Sequence, residues 1–404
     1  MMKLIQKHQI KQTHPKFKEI DTACFASKNL FNCSVYICRQ CYFKGDKIPS
    51  FNELYHLLKL TEDYQNLPAK ISQLVIKQVS NTFKSYLKAI KSYSKNKNAF
   101  TGKPKLPKYK HKEKGRNLLT FNNQAVSKKW LKKGFVNPSG LSLKVKTNIT
   151  NIDEVRIVPK YGYYVVEIVY EVPTPMVAAD NGVIASIDVG LNNLATVGSN
   201  NPEFKPFIVC GKAIKSYNQW YNKLKSKLKS FLPENKYTSK KLEALTRKRN
   251  NKMDYYIHIA SRFIVNKLVE RGVSHLVIGK NEGWKQSIKI GKRNNQHFVC
   301  VPHSTLINQL IYKCELVGIK VTTNEESYTS KCSFLDFEPI KKHSKYQGNR
   351  VKRGLFKSSK DLKINADLNG SLNILRKVVG DSVFNRDSVE RLVVSPVRFK
   401  PYKA

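Results

Sequence analysis

Three acidic residues, far apart in the sequence, occupy positions that suit metal-assisted chemistry. Asp188 ends the apolar run VIASID and precedes the turn VGLNN, and Glu282 follows the run HLVIGKN. Asp367 opens a helical pattern in NADLNGSLNIL. Functional groups gather at the carboxyl ends of strands in an open sheet. If the first two runs are neighbouring strands, the three carboxylates can meet at one place.

Carboxylates grouped in this way make the hard, oxygen-rich site that Mg²⁺ prefers. Two Mg²⁺ ions roughly 3.5–4 Å apart can activate the attacking water and stabilise the leaving oxygen in phosphodiester hydrolysis. Without metal, the carboxylates would repel one another and raise each other's pKa. Each residue also has an ordinary role open to it, since Asp188 could begin a turn, Glu282 could be a solvated loop acid and Asp367 could cap a helix. Asp180 and Glu325 flank strands in the same way, so spacing alone leaves both readings open.

The charge of the chain indicates a polyanionic partner. Lys and Arg total 73 against 29 Asp and Glu among 404 residues, a formal net charge of +44. Self-repulsion of this size disfavours a compact fold unless a polyanion neutralises it, and nucleic acid is the obvious one. The basic residues are spread along the whole chain, which argues against a membrane surface as the partner. No apolar run could span a bilayer and no signal peptide is recognisable, so we expect a cytoplasmic, nucleoid-associated protein.

Two basic segments offer tracks for phosphates, residues 103–116 and 212–252. Lys and Arg in them would position a nucleic-acid backbone without reading its sequence, and neighbouring aromatic rings could stack on bases. Ordinary packing is an equally open role for those rings, which include Tyr217, Trp220 and Tyr221. The residues that we predict to bind nucleic acid are Lys103, Lys105, Lys108, Tyr109, Lys110, Lys223, Arg247 and Arg249.

The eight cysteines are scattered, which argues against a disulfide framework. Cys38 and Cys41 have the C-x-x-C spacing of a metal or redox motif. They lie in CSVYICRQCYF, which has the pattern of a buried helix, and no second pair follows nearby. We therefore predict that they pack in a core.

Hydrophobic periodicity divides the chain into two kinds of structure. Residues 17–43, 51–60 and 68–93 show helical spacing and predict a compact bundle. Pro104 and Pro107 end the helical pattern, and alternating runs at 141–145, 155–159 and 163–172 predict a β-unit with a hairpin turn at Tyr161 and Gly162. From residue 182, strands at 183–187, 194–197, 275–278 and 319–324 alternate with helices at 216–250, 255–270, 304–317 and 367–379. Pro233 could break the first of these helices. This order predicts a mixed α/β domain, followed after Gly380 by a loose basic tail.

Several segments resemble one known family, the TnpB (OrfB) nucleases of insertion sequences. SIDVGLNNLATV resembles the first RuvC motif of that family, IGKNEGWKQ the second and NADLNGSLNI the third. YTSKCS is similar to the start of the zinc-ribbon region. Upstream, LPAKISQLVIKQVSNTFKSYLKAI and GKPKLPKYK resemble the recognition helix and the entry to the basic β-unit. The resemblance runs over nearly the whole chain in the family's order.

The resemblance implies a transposon-encoded, RNA-guided DNA endonuclease related to the compact type V CRISPR effectors. The implied fold is multidomain α/β plus β and α: an RNase H-like (RuvC) nuclease domain, an N-terminal β-barrel-like wedge unit and an inserted helical recognition bundle. The expected domains are 1–17 with 99–180 (wedge), 18–98 (bundle), 181–330 with 363–380 (nuclease), 331–362 (degenerate zinc-ribbon-like insertion that binds target nucleic acid) and 381–404 (basic tail).

The resemblance also implies the site and the partners. The family's metal-binding acids map onto Asp188, Glu282 and Asp367, which would hold two Mg²⁺ ions. The expected partners are a guide RNA from the transposon end and target double-stranded DNA with a short flanking motif, with base pairing supplying the sequence recognition. No membrane is expected to take part.

One departure concerns zinc. Family members commonly carry two C-x-x-C pairs between the second and third motifs, but here Cys332 is the one thiol of residues 331–362. Ser358 and Ser359 stand where thiols are expected, and His343 is a possible stand-in ligand. Because two ligands cannot complete a tetrahedral structural site, we predict that residues 331–362 hold no zinc. They would rely on other packing or order on nucleic acid.

Three other functions fit part of the sequence. A RuvC-like nuclease that works without a guide shares the acids but leaves the basic N-terminal half unexplained. A nucleic-acid-binding accessory or regulatory protein of a transposon would bind without cutting. A strand-transferring transposase also uses three acids in an RNase H-like fold and would join DNA ends.

Overall fold

The computed structural model describes residues 1–177, 179–281, 291, 295–296, 300–385 and 389–401. Glu282 lies outside the described residues. The chain divides into two compact units, Met1–Pro173 and Thr174–Ala404. Among the residues described, no helix has both the length and the apolar character needed to cross a membrane.

The first unit contains an antiparallel sheet in which the two ends of the unit meet. The strand order is β1-β6-β5-β2, and β1 pairs with β6 along its whole length. Gly162 turns the β5–β6 hairpin with a φ of +75°, which confirms the predicted turn. The run at 141–145 contributes only the start of a two-residue strand. The strands are β1 (Met2–Lys11), β2 (Leu119–Asn122), β3 (Phe135–Val136), β4 (Val145–Lys146), β5 (Glu154–Lys160) and β6 (Tyr163–Val172).

Helices α1, α2 and α4 of the first unit occur where the periodicity predicts them, and the short α3 and α5 were not predicted. The apolar stripe of α4 buries Val75, Val79 and Phe83 against α1 and α2, which forms a core separate from that of the sheet. Cys38 is buried in α1, as expected for a packing role, whereas Cys41 is only half-buried. The helices are α1 (Phe17–Lys44), α2 (Phe51–Leu58), α3 (Glu62–Gln65), α4 (Ala69–Lys95) and α5 (Lys128–Lys132).

A six-stranded mixed sheet organises the second unit, with the order β11-β10-β7-β8-β9-β15. β7, β8 and β9 are antiparallel, while β7, β10 and β11 run parallel. The prediction that the chain after Gly380 is loose is wrong in part, because β15 pairs in parallel with β9. The strands are β7 (Ile184–Asp188), β8 (Asn193–Ser199), β9 (Phe207–Cys210), β10 (His275–Gly279), β11 (Lys320–Asn324), β12 (Asn349–Lys352), β13 (Leu355–Lys357), β14 (Lys363–Asn365) and β15 (Val397–Phe399).

Helices cover both faces of this sheet. On one face, α7 and α8 pack on Ile187 and Ile278, and on the other α9 packs on Ile184 and Val277. The predicted break between 250 and 255 is wrong: α7 is continuous, because its buried stripe runs on through Met253. The helices are α6 (Lys212–Ser230), α7 (Lys240–Glu270), α8 (His303–Glu315), α9 (Ala366–Val379) and α10 (Val389–Leu392).

The segment between β11 and α9 has structure of its own. Strands β12, β13 and β14 form a small antiparallel sheet. Phe356 of β13 is buried and joins Phe334 in the core that lies beneath α9. This segment therefore docks on the six-stranded sheet through α9, although its sequence shows little periodicity.

Candidate active site

Asp188 is the last residue of β7, and its side chain lies under the first turns of α9. In the β7–β8 ladder it pairs with Thr196. A Cβ atom added to Gly370 of α9 would lie 2.9 Å from Oδ2 of Asp188. The absence of a side chain at Gly370 thus allows the helix backbone to approach the carboxylate, which is half-buried.

Asp367 is the second residue of α9, but it does not cap the helix. The cap is Asn365, whose side-chain oxygen accepts hydrogen bonds from the backbone N–H groups of Asp367 (3.0 Å) and Leu368 (3.2 Å). The Asp367 carboxylate is therefore available for other contacts. It accepts from Nδ2 of Asn193 at 2.5 Å and from Nη2 of Arg350 at 3.1 Å.

The two aspartates line one cavity of about 370 Å³. Its wall also carries four basic side chains, Lys212, Arg350, Arg353 and Arg398, all of them exposed. Lys212 belongs to the basic segment 212–252 that we predicted to bind phosphates. Sequence reasoning missed the three arginines, because nothing in the local pattern connects them with a strand end far away in the chain. Two carboxylates surrounded by cations form a surface that suits an anionic backbone beside a metal-dependent centre.

The electrostatic environment of Asp188 favours its protonated form. Burial raises the pKa of Asp188 from its ordinary value of 3.8 to about 8, and the negative charges of Glu326 and Asp367 act in the same direction, while Arg350 opposes them. The described residues form no hydrogen bond or ion pair with this carboxylate. A nearby cation would therefore stabilise its charged form.

Glu326, which our sequence reasoning did not select, is the third acid of this neighbourhood. Burial raises its pKa from 4.5 to about 7, with a smaller contribution from the charge of Glu325. It follows β11, two strands away from β7. The sequence does contain a signal for Glu326, since the pair Glu325–Glu326 comes directly after a strand. Such positions are common, however, and the sequence analysis names Glu325 only as one example of them.

The acids present fit a hard divalent cation in their chemistry. Three carboxylates, one of them without a hydrogen-bond donor from the described residues, supply oxygen ligands and an excess of negative charge. Within the described ranges, no three His, Cys, Asp or Glu side chains lie close enough together to hold one ion. Asp188 and Asp367 are thus brought together, whereas the structure says nothing of Glu282.

The predicted nucleic-acid segment of the first unit is exposed but partly tied down. Lys103, Lys105, Lys108 and Tyr109 are exposed, and the guanidinium of Arg39 lies 5.2 Å from the centre of the Tyr109 ring. Lys110 differs from them: its backbone N–H and C=O both bind the side chain of Asn32 in α1, and burial lowers the pKa of its ammonium group.

Of the residues predicted to bind nucleic acid in the second unit, Lys223 is exposed on α6 and Arg247 is half-buried on α7. Arg249 is held by protein acceptors, since it donates to Oδ1 of Asn218 (2.8 Å) and to the backbone oxygen of Cys300 (2.6 Å). Arg249 therefore helps to pack α7 on α6.

The aromatic rings of α6 make contacts within the protein, one of the two roles that the sequence left open for them. The rings of Tyr217 and Trp220 stack with centres 5.2 Å apart, and Nζ of Lys252 lies 4.4 Å from the centre of the Tyr217 ring. Tyr221 is buried. Only Trp220 of the three is substantially exposed.

The segment predicted to lack zinc is held together by polar side chains. Glu338, which is buried, accepts hydrogen bonds from the backbone N–H groups of Ser333 (2.7 Å) and Gln347 (3.0 Å). Asp336 accepts from the backbone and hydroxyl of Ser359 (2.9 and 2.5 Å). Cys332 is buried, and its Sγ lies 3.5 Å from the carbonyl oxygen of Pro339. Zinc independence remains a prediction.

Comparison with known proteins gives two matches to family models. Residues 167–285 match the OrfB family of IS605-type elements, described as "Probable transposase". Residues 303–374 match the TNB domain of Cas12f1-like proteins. The first match covers the segment that contains Asp188, and the second covers the segment that contains Glu326 and Asp367. No curated protein matches the chain significantly.

The solved structures that match this chain include three complexes. A Cas12f1–sgRNA–target DNA complex is 16% identical, with 92% of this chain and 98% of that chain covered and a TM-score of 0.38. A CRISPR–Cas12f ternary complex is 14% identical, with coverages of 89% and 82% and a TM-score of 0.37. CasPhi-2 (Cas12j) bound to crRNA is 9% identical, with coverages of 96% and 99% and a TM-score of 0.44. We base the functional proposal on the family models and on the site.

Proposed function

We propose that this chain, a TnpB-like protein related to the compact type V effectors, is an RNA-guided DNA endonuclease that hydrolyses phosphodiester bonds of target DNA. The observation that carries the proposal is the cavity in which Asp188 and Asp367 meet, walled by four basic side chains. Carboxylates for metal and cations for phosphate are the two requirements of metal-dependent phosphodiester hydrolysis.

The sheet supports an RNase H-like nuclease domain. Three antiparallel strands lead into two parallel ones, and helices cover both faces. Asp188 ends the strand at which the antiparallel and parallel parts meet. A functional group at the carboxyl end of such a strand lies where open α/β sheets commonly bind ligands.

In this proposal Asp188, Glu282 and Asp367 bind two Mg²⁺ ions. When bound, the ions supply charge neutralisation at the scissile phosphate and lower the pKa of the attacking water. The remaining work falls to side chains of the cavity. Arg350 and Arg353 contact the DNA backbone, and Asn193 keeps the Asp367 carboxylate oriented through its hydrogen bond of 2.5 Å.

The proposed partners are a guide RNA transcribed from the transposon end and target double-stranded DNA with a short flanking motif. The charge of +44 supports a long polyanion. The exposed side chains proposed to contact it are Lys103, Lys105, Lys108, Tyr109 and Lys223, and we keep Lys110, Arg247 and Arg249 as weaker candidates because each is already engaged or partly buried.

The second candidate function is strand transfer. The matched family is described as a probable transposase, and a strand-transferring enzyme would use the same carboxylates. The two functions differ in their products: an endonuclease leaves free ends, whereas a transferase joins a cut end to a second DNA.

The experiment begins with sequencing the RNA that copurifies with the protein. A supercoiled plasmid carrying the sequence complementary to that RNA is then incubated with the complex and Mg²⁺, and the products are examined for both cuts and joints. Asp188→Ala should abolish cutting while retaining the RNA. Asp180→Asn, which changes an exposed acid that precedes the opposite end of β7, is the matched control and should cut normally.

Two results would contradict the proposal. Cutting that does not depend on the RNA sequence would favour a nuclease without a guide. Binding of RNA and DNA with no cutting by the unaltered chain, in Mg²⁺ or Mn²⁺, would favour an accessory or regulatory protein.

A further inference from the structure

We propose that Glu326 is a metal-binding carboxylate of the nuclease centre, and that it occupies the place beside Asp188 which Gly279 at the end of β10 leaves empty. This inference rests on the proposed function. It concerns an acid that lies outside the three sequence motifs.

The register of the parallel strands brings the relevant positions to one level. Ile187 pairs with Ile278, so Asp188 and Gly279 are the next positions of β7 and β10. Gly279 in turn pairs with Asn324 of β11, two residues before Glu326. The carboxyl ends of three adjacent parallel strands therefore carry Asp188, a glycine and the glutamate pair 325–326.

The side-chain space of Gly279 is filled by Glu326. A Cβ atom added to Gly279 would lie 2.7 Å from Oε2 of Glu326 and 2.6 Å from Cδ1 of Ile374 in α9. Both distances are below ordinary van der Waals contact, so a larger residue at 279 would displace the carboxylate or the helix. Glu326 reaches across β10 towards β7 because the middle strand has no side chain at this position.

Asn281 holds Glu326 in this orientation through two hydrogen bonds. Nδ2 of Asn281 donates to Oε1 of Glu326 at 3.0 Å, and the backbone N–H of Glu326 donates to Oδ1 of Asn281 at 3.0 Å. Oε2 remains directed at the space over Gly279. A carboxylate fixed by an amide partner on one oxygen and open on the other is prepared for a metal.

Glu325 behaves differently although it is the adjacent residue. It is exposed, and its carboxylate binds Nζ of Lys377 at 2.5 Å and the hydroxyl of Ser327. The two glutamates thus face different environments, and Glu325 supplies a control of identical chemistry.

Glu326 and Asp367 approach Asp188 from opposite sides of β7. Asp367 is hydrogen-bonded to Asn193 of β8, whereas Glu326 lies over β10. The charges of both Glu326 and Asp367 act on Asp188. Glu326 would thus add a carboxylate to the proposed set of Asp188, Glu282 and Asp367.

The test compares Glu326→Gln with Glu325→Gln, Glu282→Gln and Asp188→Ala in the complete RNA-bound protein. Guided plasmid cleavage is measured, and Mn²⁺ binding is measured separately by the loss of the free-ion electron paramagnetic resonance signal. We expect Glu326→Gln to lower the cleavage rate roughly 100-fold or more, since changes even in the groups that support metal ligands cost about 10–100-fold. It should also weaken Mn²⁺ binding, whereas Glu325→Gln should change neither.

The outcomes separate this inference from the function on which it rests. If the unaltered protein cuts, Asp188→Ala does not and Glu326→Gln cuts and binds Mn²⁺ normally, the role of Glu326 is refuted and the nuclease stands. If Glu326→Gln loses both properties while its melting temperature and RNA content match those of Glu325→Gln, the role is supported. If Glu326→Gln melts at a lower temperature, loss of activity could reflect unfolding, and Glu326→Asp is tested instead. Failure of this shorter acid to recover any Mn²⁺ binding would also refute the role.

Discussion

The half-buried carboxylate of Asp188 should make the metal-free protein less stable as the pH rises. Its pKa stands at about 8 instead of 3.8, so between these values the folded state keeps a proton that the unfolded chain has released. An acid with a raised pKa therefore costs stability that grows with pH above about 4 and levels off above about 8. From pH 6 to pH 8 the loss is about 1.4 kcal/mol per pH unit, or roughly 2–3 kcal/mol.

Asp188→Asn should remove most of this loss, because a neutral amide of the same shape cannot ionise. Part of the slope below pH 7 will remain, since the pKa of Glu326 is also raised, to about 7. For a folded unit of this size, a change of roughly 2 kcal/mol in the free energy of unfolding shifts the melting temperature by about 4–8 °C. We expect the variant to melt higher than the unaltered chain at pH 8 and to differ less from it at pH 6.

The assay is calorimetry of nucleic-acid-free protein at high salt with EDTA, at pH values from about 5.5 to about 8.5 in steps of roughly half a unit. Glu203→Gln, at an exposed position of the same unit, controls for the general effect of charge. The reasoning is refuted if the curves of the Asp188→Asn variant and the unaltered chain run parallel. Added Mg²⁺ should raise the melting temperature of the unaltered chain at pH 8 and leave the variant unaffected.

Three further predictions concern other parts of the chain. Glu338→Gln should destabilise the segment between β11 and α9 by about 1–3 kcal/mol, measurable by hydrogen exchange, because the buried carboxylate accepts two backbone hydrogen bonds. Arg350→Gln should cost less than about 1 kcal/mol in thermal stability, since its ion pair with Asp367 is half-exposed, yet it should weaken DNA binding by the RNA-loaded protein. Lys105→Gln with Lys108→Gln should reduce the salt dependence of RNA binding, with the logarithmic slope falling by roughly 1.4–1.8 in a filter-binding series; an unchanged slope would exclude both lysines from phosphate contact.

The sequence allows Asp188 and Asp367 to be predicted because each lies at the edge of a clear local pattern. A strand that ends in an acid and a helix that begins with one need no knowledge of the rest of the fold. Glu326 also follows a strand, but the local pattern does not distinguish it from Glu325. Its position beside Asp188 depends on the parallel pairing of β7, β10 and β11 and on an empty side-chain position at Gly279, and these are properties of strands joined by long connections.

Similar non-local effects explain the other differences. β15 joins the sheet only because the edge of β9 is present to pair with it, and a three-residue strand has no periodicity to recognise. Arg350 enters the cavity from an insertion whose strands are short and polar. By contrast, the long helices α1 and α4 were predicted closely, because many turns of apolar spacing specify them.

Gly370 has a consequence for anyone who wishes to make this protein more robust. A glycine within a helix costs roughly 0.5–1 kcal/mol relative to alanine, so Gly370 is an obvious candidate for a stabilising exchange. The added methyl group would nevertheless lie 2.9 Å from Oδ2 of Asp188, and the carboxylate would have to turn away from its present direction. The exchange would thus stabilise the helix but displace the Asp188 carboxylate. At this one position, a higher melting temperature would be accompanied by a lower cleavage rate.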